Sequence, residues 1–181
     1  MGRTGVSSAD AVVVPTGGEG CARHLAAHRR TRSPTVQLLA TFAGMTKAMA
    51  GKPVLDLIIL DCPDALELAT FYGELLGWSM EDGADRDWAT LEPPEGGVSP
   101  ENPNGRPALA FQRIDDWVAP TWPGGSHPQQ FHLDFSVAGD IDATEPAVLA
   151  LGAQRHDHQP SEDGGFRVYL DPAGHPFCLI R

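Results

Sequence analysis

Polar and apolar residues alternate along residues 130–136, and this pattern predicts a strand with one buried face. The buried face would carry three apolar side chains that pack under a helix, Phe131, Leu133 and Phe135. The opposite face would bring the imidazole of His132 beside the carboxylate of Asp134. Because antiparallel sheets commonly expose one polar face, this strand alone does not assign a function.

The pattern from residue 53 onward repeats one order of predicted elements. The first copy (about 53–114) is predicted to contain a strand, a helix and three strands, at 54–60, 65–76, 78–81, 88–91 and 108–114. The second copy (about 129–181) is predicted to contain the same series, at 131–137, 140–151, 153–158, 166–170 and 177–180. The spacing agrees, since 20 residues separate Leu57 from Gly77 and also His132 from Gly152. The sequence therefore predicts two βαβββ modules.

One βαβββ sheet cannot cover both of its faces, so the two modules must combine. We predict an α+β fold in which a curled, cup-shaped mixed sheet has its helices outside. The alternation of side chains assigns a mixed polar and aromatic set to the concave face: Asp61, Trp88, Gln112, His132, Asp134, Arg167, Tyr169 and Cys178. A concave surface of this chemistry suits a small-molecule ligand.

Charge is spread unevenly along the 181 residues, whose formal net charge is −11. Residues 1–50 carry six basic and two acidic side chains, whereas residues 51–181 carry seven basic and 22 acidic ones. A region as acidic as residues 51–181 would repel phosphate backbones, which argues against nucleic-acid binding. The three cysteines form no Cys-x-x-Cys pair, which favours a reducing, cytoplasmic location. No apolar run approaches the length of a membrane span.

Residues 1–50 show no sustained helical or strand period and are rich in Gly, Ser, Thr, Ala and Arg. We interpret them as a disordered extension before a domain at 51–181. Two alternatives stay open. The Ala-Met-Ala sequence at 48–50 has the form of a signal cleavage site, although the preceding apolar run is broken. Translation could also begin at Met45 or Met49.

Five fragments in a fixed order give the chain a family resemblance. They are Leu-Asp-Cys-Pro-Asp at 60–64, Phe-Tyr at 71–72 with Leu-Leu-Gly-Trp at 75–78, Leu-Ala-Phe-Gln-Arg at 109–113, His-Leu-Asp at 132–134, and Leu-Asp-Pro-Ala-Gly-His-Pro-Phe-Cys at 170–178. With them, residues 53–181 resemble the vicinal oxygen chelate superfamily of glyoxalases, bleomycin-resistance proteins and ring-cleaving dioxygenases. The glyoxalase-like subgroup is the most similar part of it.

The resemblance implies metal-ligand positions on the first and fourth strand of each module. In this chain they fall on Leu57, Gln112, His132 and Cys178. Leu57 has no donor atom, which leaves Gln112, His132 and Cys178 as the candidate metal ligands. Catalytic zinc and non-haem iron sites normally use three good ligands, so two cofactor states stay open, no cofactor or a divalent metal.

Candidate roles follow from side-chain chemistry. His132 is the candidate general base, because imidazole titrates near neutral pH, and a structural histidine is the alternative. Arg167 could clamp a substrate carboxylate, or pair with one of the chain's own carboxylates. Trp88 and Tyr169 could stack on a flat ligand or simply pack. Asp61, Gln112 and Asp134 complete the candidate ligand-binding set.

Two functions stay open at this point. The first is an enzyme of the lyase, isomerase or dioxygenase type that acts on a small oxygen-rich or aromatic metabolite. The second is a non-catalytic protein that sequesters a drug or metabolite, as bleomycin-resistance proteins do. The resemblance also leaves open whether the chain forms a homodimer, and fold alone names no substrate.

Overall fold

The computed structural model of the protein describes residues 53–181. The described chain forms eight strands and two helices in this order: β1 (Leu57–Cys62), α1 (Ala65–Leu76), β2 (Ser79–Met80), β3 (Trp88–Glu92), β4 (Ala108–Arg113), β5 (Leu133–Ser136), α2 (Ile141–Ala150), β6 (Gln154–Arg155), β7 (Phe166–Leu170) and β8 (Pro176–Ile180). The interpretations of residues 1–50 lie outside these residues. Neither helix is long and apolar enough to cross a membrane.

The strands form two four-stranded mixed sheets of identical topology. The first sheet has the order β1-β4-β3-β2 and the second β5-β8-β7-β6. The first strand of each module pairs in parallel with the last, and the other pairs are antiparallel. The predicted α+β fold with two βαβββ modules is thereby confirmed.

Helix α1 begins and ends as its sequence predicts. The Asp64 side chain accepts a hydrogen bond from the backbone N–H of Glu67, which satisfies one of the free donors of the first turn. Gly77 ends the helix in the left-handed conformation with φ of 66°, which a residue with a Cβ adopts only at a cost. The helix is thus fixed in length, and its apolar face is set against the sheet.

The core lies on the helix-facing side and joins the two modules through Tyr72 of α1. The Tyr72 ring stacks on Phe111 of β4 at 5.5 Å and lies 6.0 Å from Phe135 of β5 and 6.5 Å from Phe177 of β8. One helical side chain therefore contacts both sheets, and burial of these rings is a large part of what holds the modules together. Cys62 is buried and forms no disulfide.

Strand β5 is shorter than predicted. It begins at Leu133, which pairs with Phe177 of its parallel partner β8. In this register the preceding residue of β8 is Pro176, which has no backbone N–H to donate. Phe131 precedes this pairing and is 64% exposed, so the prediction that it packs under a helix is wrong. Leu133 and Phe135 do pack against the core as predicted. His132 thus lies at the junction of the inter-module linker and β5.

Candidate functional site

A cavity of about 570 Å³ lies where β1, the inter-module linker and the starts of β5 and β8 meet. Most of its wall is apolar and is contributed by Ile59, Leu60, Trp117, Val118, Pro120, Pro128, Phe131, Leu133 and Pro176. Its polar side chains are Asp61, Tyr72, His127, Gln129, Gln130, His132 and His175. An apolar cavity of this size with a few convergent polar groups has the character of a small-molecule site.

A hydrogen-bonded chain leads from the core to this cavity. The fully buried carboxylate of Asp171 accepts a hydrogen bond from the Tyr72 hydroxyl at 2.9 Å, and Nδ1 of His175 lies 2.8 Å from the same oxygen. The other oxygen accepts the backbone N–H groups of Ala173 and His175, both at 2.9 Å. Burial raises the pKa of Tyr72 well above its usual value, so its hydroxyl stays protonated and donates.

Trp117 of the linker forms the wall beside His175. Its ring lies 5.0 Å from the imidazole, and its Nε1–H donates to the backbone carbonyl of Ala173 at 3.1 Å. This bond fixes the indole against the turn between β7 and β8. The linker is therefore attached to the second module at the cavity.

Asp61 projects from β1 into the same cavity. Partial burial raises the pKa of its carboxyl group, and the positive charge that His175 can carry opposes that rise. A carboxyl group with a raised pKa next to an imidazole is a common arrangement in acid–base sites, although structural networks produce it too.

His132 connects the cavity to a cluster of metal-ligating side chains. Its Nδ1 lies 2.8 Å from the Gln129 amide nitrogen, and its Nε2 lies 3.3 Å from the Asp134 carboxylate. Asp134 pairs in register with Cys178 of β8. One donor atom from each of His132, Asp134 and Cys178 lies within 4.8 Å of the others.

The donor set of this cluster fits a borderline divalent metal such as Zn²⁺, because it offers one nitrogen, one oxygen and one sulfur. Burial, together with the neighbouring Asp134, raises the pKa of the Cys178 thiol to about 12. The thiol is therefore protonated at neutral pH, and a metal would have to displace its proton. The cluster contains two of the three predicted metal ligands, with Asp134 in addition.

Gln112, the third predicted metal ligand, lies on β4 of the first sheet. It pairs in register with Asp61 of β1 and with Trp88 of β3. Trp88 is buried, and its indole donates to the Thr90 hydroxyl at 3.0 Å. The roles of Gln112 in metal binding and of Trp88 in stacking stay predictions.

Arg167 and Tyr169 lie on the opposite side of β7 from the one we predicted. Tyr169 pairs with Phe177 and stacks on that ring at 5.6 Å, which places it on the helix-facing side. Its hydroxyl donates to Glu145 of α2 at 3.0 Å, and the Arg167 guanidinium binds Asp142 at 2.7 Å and Glu145 at 2.9 Å. The expectation that they line the concave face is wrong, because α2 supplies carboxylates that satisfy them there.

The sequence interpretation missed His175, which lines the cavity, and its buried partner Asp171. Both belong to the 170–178 fragment, which we used only as part of the family resemblance. A signal was present, since a histidine four residues after an aspartate across a Gly-containing turn can return to that carboxylate. Gly174, with φ of 90°, makes this tight return.

A second, wider groove of about 710 Å³ lies against α1 and the start of β6. Its charged side chains are Asp64, Glu67, Glu74 and Arg86, and its wall contains no histidine or cysteine. The groove therefore lacks an imidazole and a soft ligand, and the cavity at His132 and His175 is the better candidate site.

Comparison with known proteins agrees with this architecture. The glyoxalase-like domain family matches residues 57–180. A protein from Bacillus cereus described as a possible glyoxalase superposes with a TM-score of 0.50 at 13% identity, over 70% of this chain and 97% of that one. A glyoxalase/bleomycin resistance protein/dioxygenase family enzyme from Burkholderia phytofirmans PsJN has the same TM-score and coverages at 18% identity.

Sequence identities this low show a shared fold and do not identify a substrate. The family match covers more than half of the chain, and it coincides with the two modules that flank the cavity. The chain belongs to the glyoxalase-like domain family of the vicinal oxygen chelate superfamily.

Proposed function

We propose that the domain binds a small, oxygen-bearing and largely apolar or aromatic molecule in the inter-module cavity and acts on it as an enzyme. The reaction that we propose is of the lyase, isomerase or dioxygenase type, as membership of the superfamily suggests. The observation that supports this proposal most is that His132 both lines the cavity and belongs to the cluster with Asp134 and Cys178. A ligand in the cavity would thus lie beside the groups that can do chemistry.

His132 is the proposed general base. Gln129 at Nδ1 and Asp134 near Nε2 hold the ring from both sides. After proton uptake, the Asp134 carboxylate would stabilise the imidazolium. The His132 side chain remains 44% exposed, so a ligand can reach it.

In the alternative cofactor state, a divalent metal would be held by His132, Asp134 and Cys178, with Gln112 as the further predicted ligand, and His132 would then serve as a ligand instead of a base. Bound there, the metal would polarise ligand oxygens as a Lewis acid. The protein's contribution is to supply three different donors and to exclude water with the apolar cavity wall. Asp134, which lies beside the Cys178 thiol, favours its protonated form, so the metal itself would have to displace the proton.

The alternative function is non-catalytic sequestration of a drug or metabolite. Two observations favour it. The large apolar side chains at the cavity mouth are strongly exposed, namely Ile59, Val118 and Phe131. The Cys178 thiol is also protonated at neutral pH, which a protein that binds a ligand without metal can tolerate. Both functions use the same cavity, and they differ in metal content and turnover.

The cellular setting remains part of the proposal. Cys62 and Cys178 are both buried and unpaired, which supports a reducing, cytoplasmic location. A homodimer is a further prediction, and sedimentation velocity would test it.

The test combines metal content with ligand binding. Protein purified without a metal-affinity tag is subjected to elemental analysis, and titration calorimetry then measures binding of 4-nitrocatechol, whose adjacent oxygens can chelate a metal. We expect stoichiometric metal and binding in the wild type, and loss of both in His132→Ala. His158→Ala is the matched control, because His158 lies outside the cavity and the cluster.

Binding without metal and without turnover would support the sequestering alternative. Absence of binding by wild-type protein, with or without added Zn²⁺, would contradict the cavity as the site for this class of ligand.

A further inference from the structure

The hydrogen bonds around Asp171 determine which nitrogen of His175 carries the proton. The carboxylate accepts three hydrogen bonds, from two backbone N–H groups and the Tyr72 hydroxyl, and Nδ1 of His175 lies 2.8 Å from the oxygen that Tyr72 also contacts. Since these three contacts all use the carboxylate as an acceptor, the consistent arrangement has Nδ1 donating to Asp171, which leaves Nε2 of the neutral ring unprotonated.

The second ring nitrogen of His175 is available to a ligand. Within residues 53–181, no hydrogen bond or ion pair involves Nε2 of this histidine. Its side chain is only 17% exposed, and it lines the cavity. By contrast, His132 is 44% exposed, and each of its ring nitrogens has a polar neighbour.

The titratable groups around His175 come from three directions. Asp171 lies in its own turn, Tyr72 projects from α1 and Asp61 from β1. His127 and His132 of the linker line the same cavity. Asp171, which Tyr72 holds by a hydrogen bond, therefore lies on the Nδ1 side, and Asp61 is the carboxyl group among the residues that line the cavity.

We propose that His175 is a second ligand-contacting acid–base residue, with Asp171 and Tyr72 as its positioning residues, and that its ligand is a neutral, planar aromatic compound with an acidic hydroxyl group. This inference rests on the proposed function of the cavity. The Trp117 ring and the apolar wall suit a flat aromatic body. A neutral ligand is favoured because the 22 acidic residues of 51–181, which include Asp61 in the cavity, repel anions.

The step is a simple proton transfer. The oxygen–hydrogen bond of the ligand breaks, its electron pair stays on the oxygen, and the proton forms a new bond to Nε2. The Asp171 carboxylate, 2.8 Å from Nδ1, stabilises the resulting imidazolium. The reverse transfer restores the neutral histidine, so the step needs no oxidant, reductant or co-reactant.

The test uses 4-nitrophenol, whose single hydroxyl cannot chelate a metal and whose absorbance changes on ionisation. Spectra of the bound probe are recorded across pH for the full chain and for His175→Gln, with His158→Gln as the matched control. We expect the ratio of phenolate to phenol in the bound probe to fall about tenfold in His175→Gln, since the loss of an adjacent cation raises an acid's pKa by about one unit or more. Tyr72→Phe should give an intermediate fall, and His158→Gln none.

A ligand-free measurement keeps the two proposals separable. Nitrogen-15 NMR of the histidine side chains reports the tautomer directly, and we expect a protonated Nδ1 and a bare Nε2 at His175. A protonated Nε2, or an unchanged ionisation of probe bound to His175→Gln, would overturn the role of His175 and leave the cavity proposal intact. Failure of wild-type protein to bind 4-nitrophenol would overturn both for this ligand class.

Discussion

Removal of one hydroxyl group tests the network that links the core to the cavity. In Tyr72→Phe the ring keeps its contacts with Phe111 and Phe177, and only the hydrogen bond to Asp171 is lost. That bond is 2.9 Å long and joins a fully buried hydroxyl to a fully buried carboxylate. Hydrogen bonds to charged groups contribute about 1.5–3 kcal/mol to stability. We expect Tyr72→Phe to lower the free energy of unfolding by about 2 kcal/mol.

Tyr169→Phe is the matched control. Its hydroxyl also donates to a carboxylate, but Glu145 retains Arg155 and Arg167 as ion-pair partners and is partly exposed. The cost should therefore be about 1 kcal/mol or less. Urea denaturation of both variants at pH 7 gives the comparison, with unchanged dependence on urea as the sign of unchanged folding cooperativity. Equal costs for the two variants, or a cost below about 0.5 kcal/mol for Tyr72→Phe, would refute the proposed role of the network.

Three further predictions concern stability. Arg167→Gln should cost about 1–2 kcal/mol, because Glu145, whose side chain is 16% exposed, then keeps only Arg155 as an ion-pair partner within residues 53–181. Arg113→Gln on the surface should cost less, and the reverse order in urea denaturation would contradict this reasoning. In metal-free protein, the pKa of Cys178 is raised from 9.0 to about 12, so its contribution to stability is present below pH 9 and is lost towards pH 12. The melting temperature of Cys178→Ala should therefore fall less steeply at alkaline pH than that of the wild type. An identical fall in both proteins would exclude this cause. Gly77→Ala should lower the free energy of unfolding by about 1–2 kcal/mol through its φ of 66° alone, since no atom lies within 4 Å of the added Cβ. An unchanged free energy of unfolding in urea would disprove the cap assignment.

The repeat of apolar periods and helix ends predicted the fold because those signals are local. The helix predicted at 65–76 and the 20-residue spacing needed no knowledge of distant contacts. The pairing of His132 with Asp134 was also predictable, because both lie on one face of a single extended stretch.

The rest of the site depends on contacts that a local pattern does not contain. Tyr72 and Asp171 are 99 residues apart, and no sequence spacing connects them. The face of β7 was assigned wrongly because the residues of this strand alternate between apolar and amphipathic side chains. The register that pairs Tyr169 with Phe177 places both rings on the helix-facing side of the sheet. Arg167 lies on that side as well, because the carboxylates of α2 bind its guanidinium there.

The most direct test of the account is to locate a bound small molecule on the protein. Backbone amide NMR shifts are followed during titration with 4-nitrocatechol. We expect the largest changes at Asp61, His132 and His175, which line the cavity between the modules. Changes concentrated at Glu67 and Gln154 of the groove beside α1 would contradict the assignment of the ligand site.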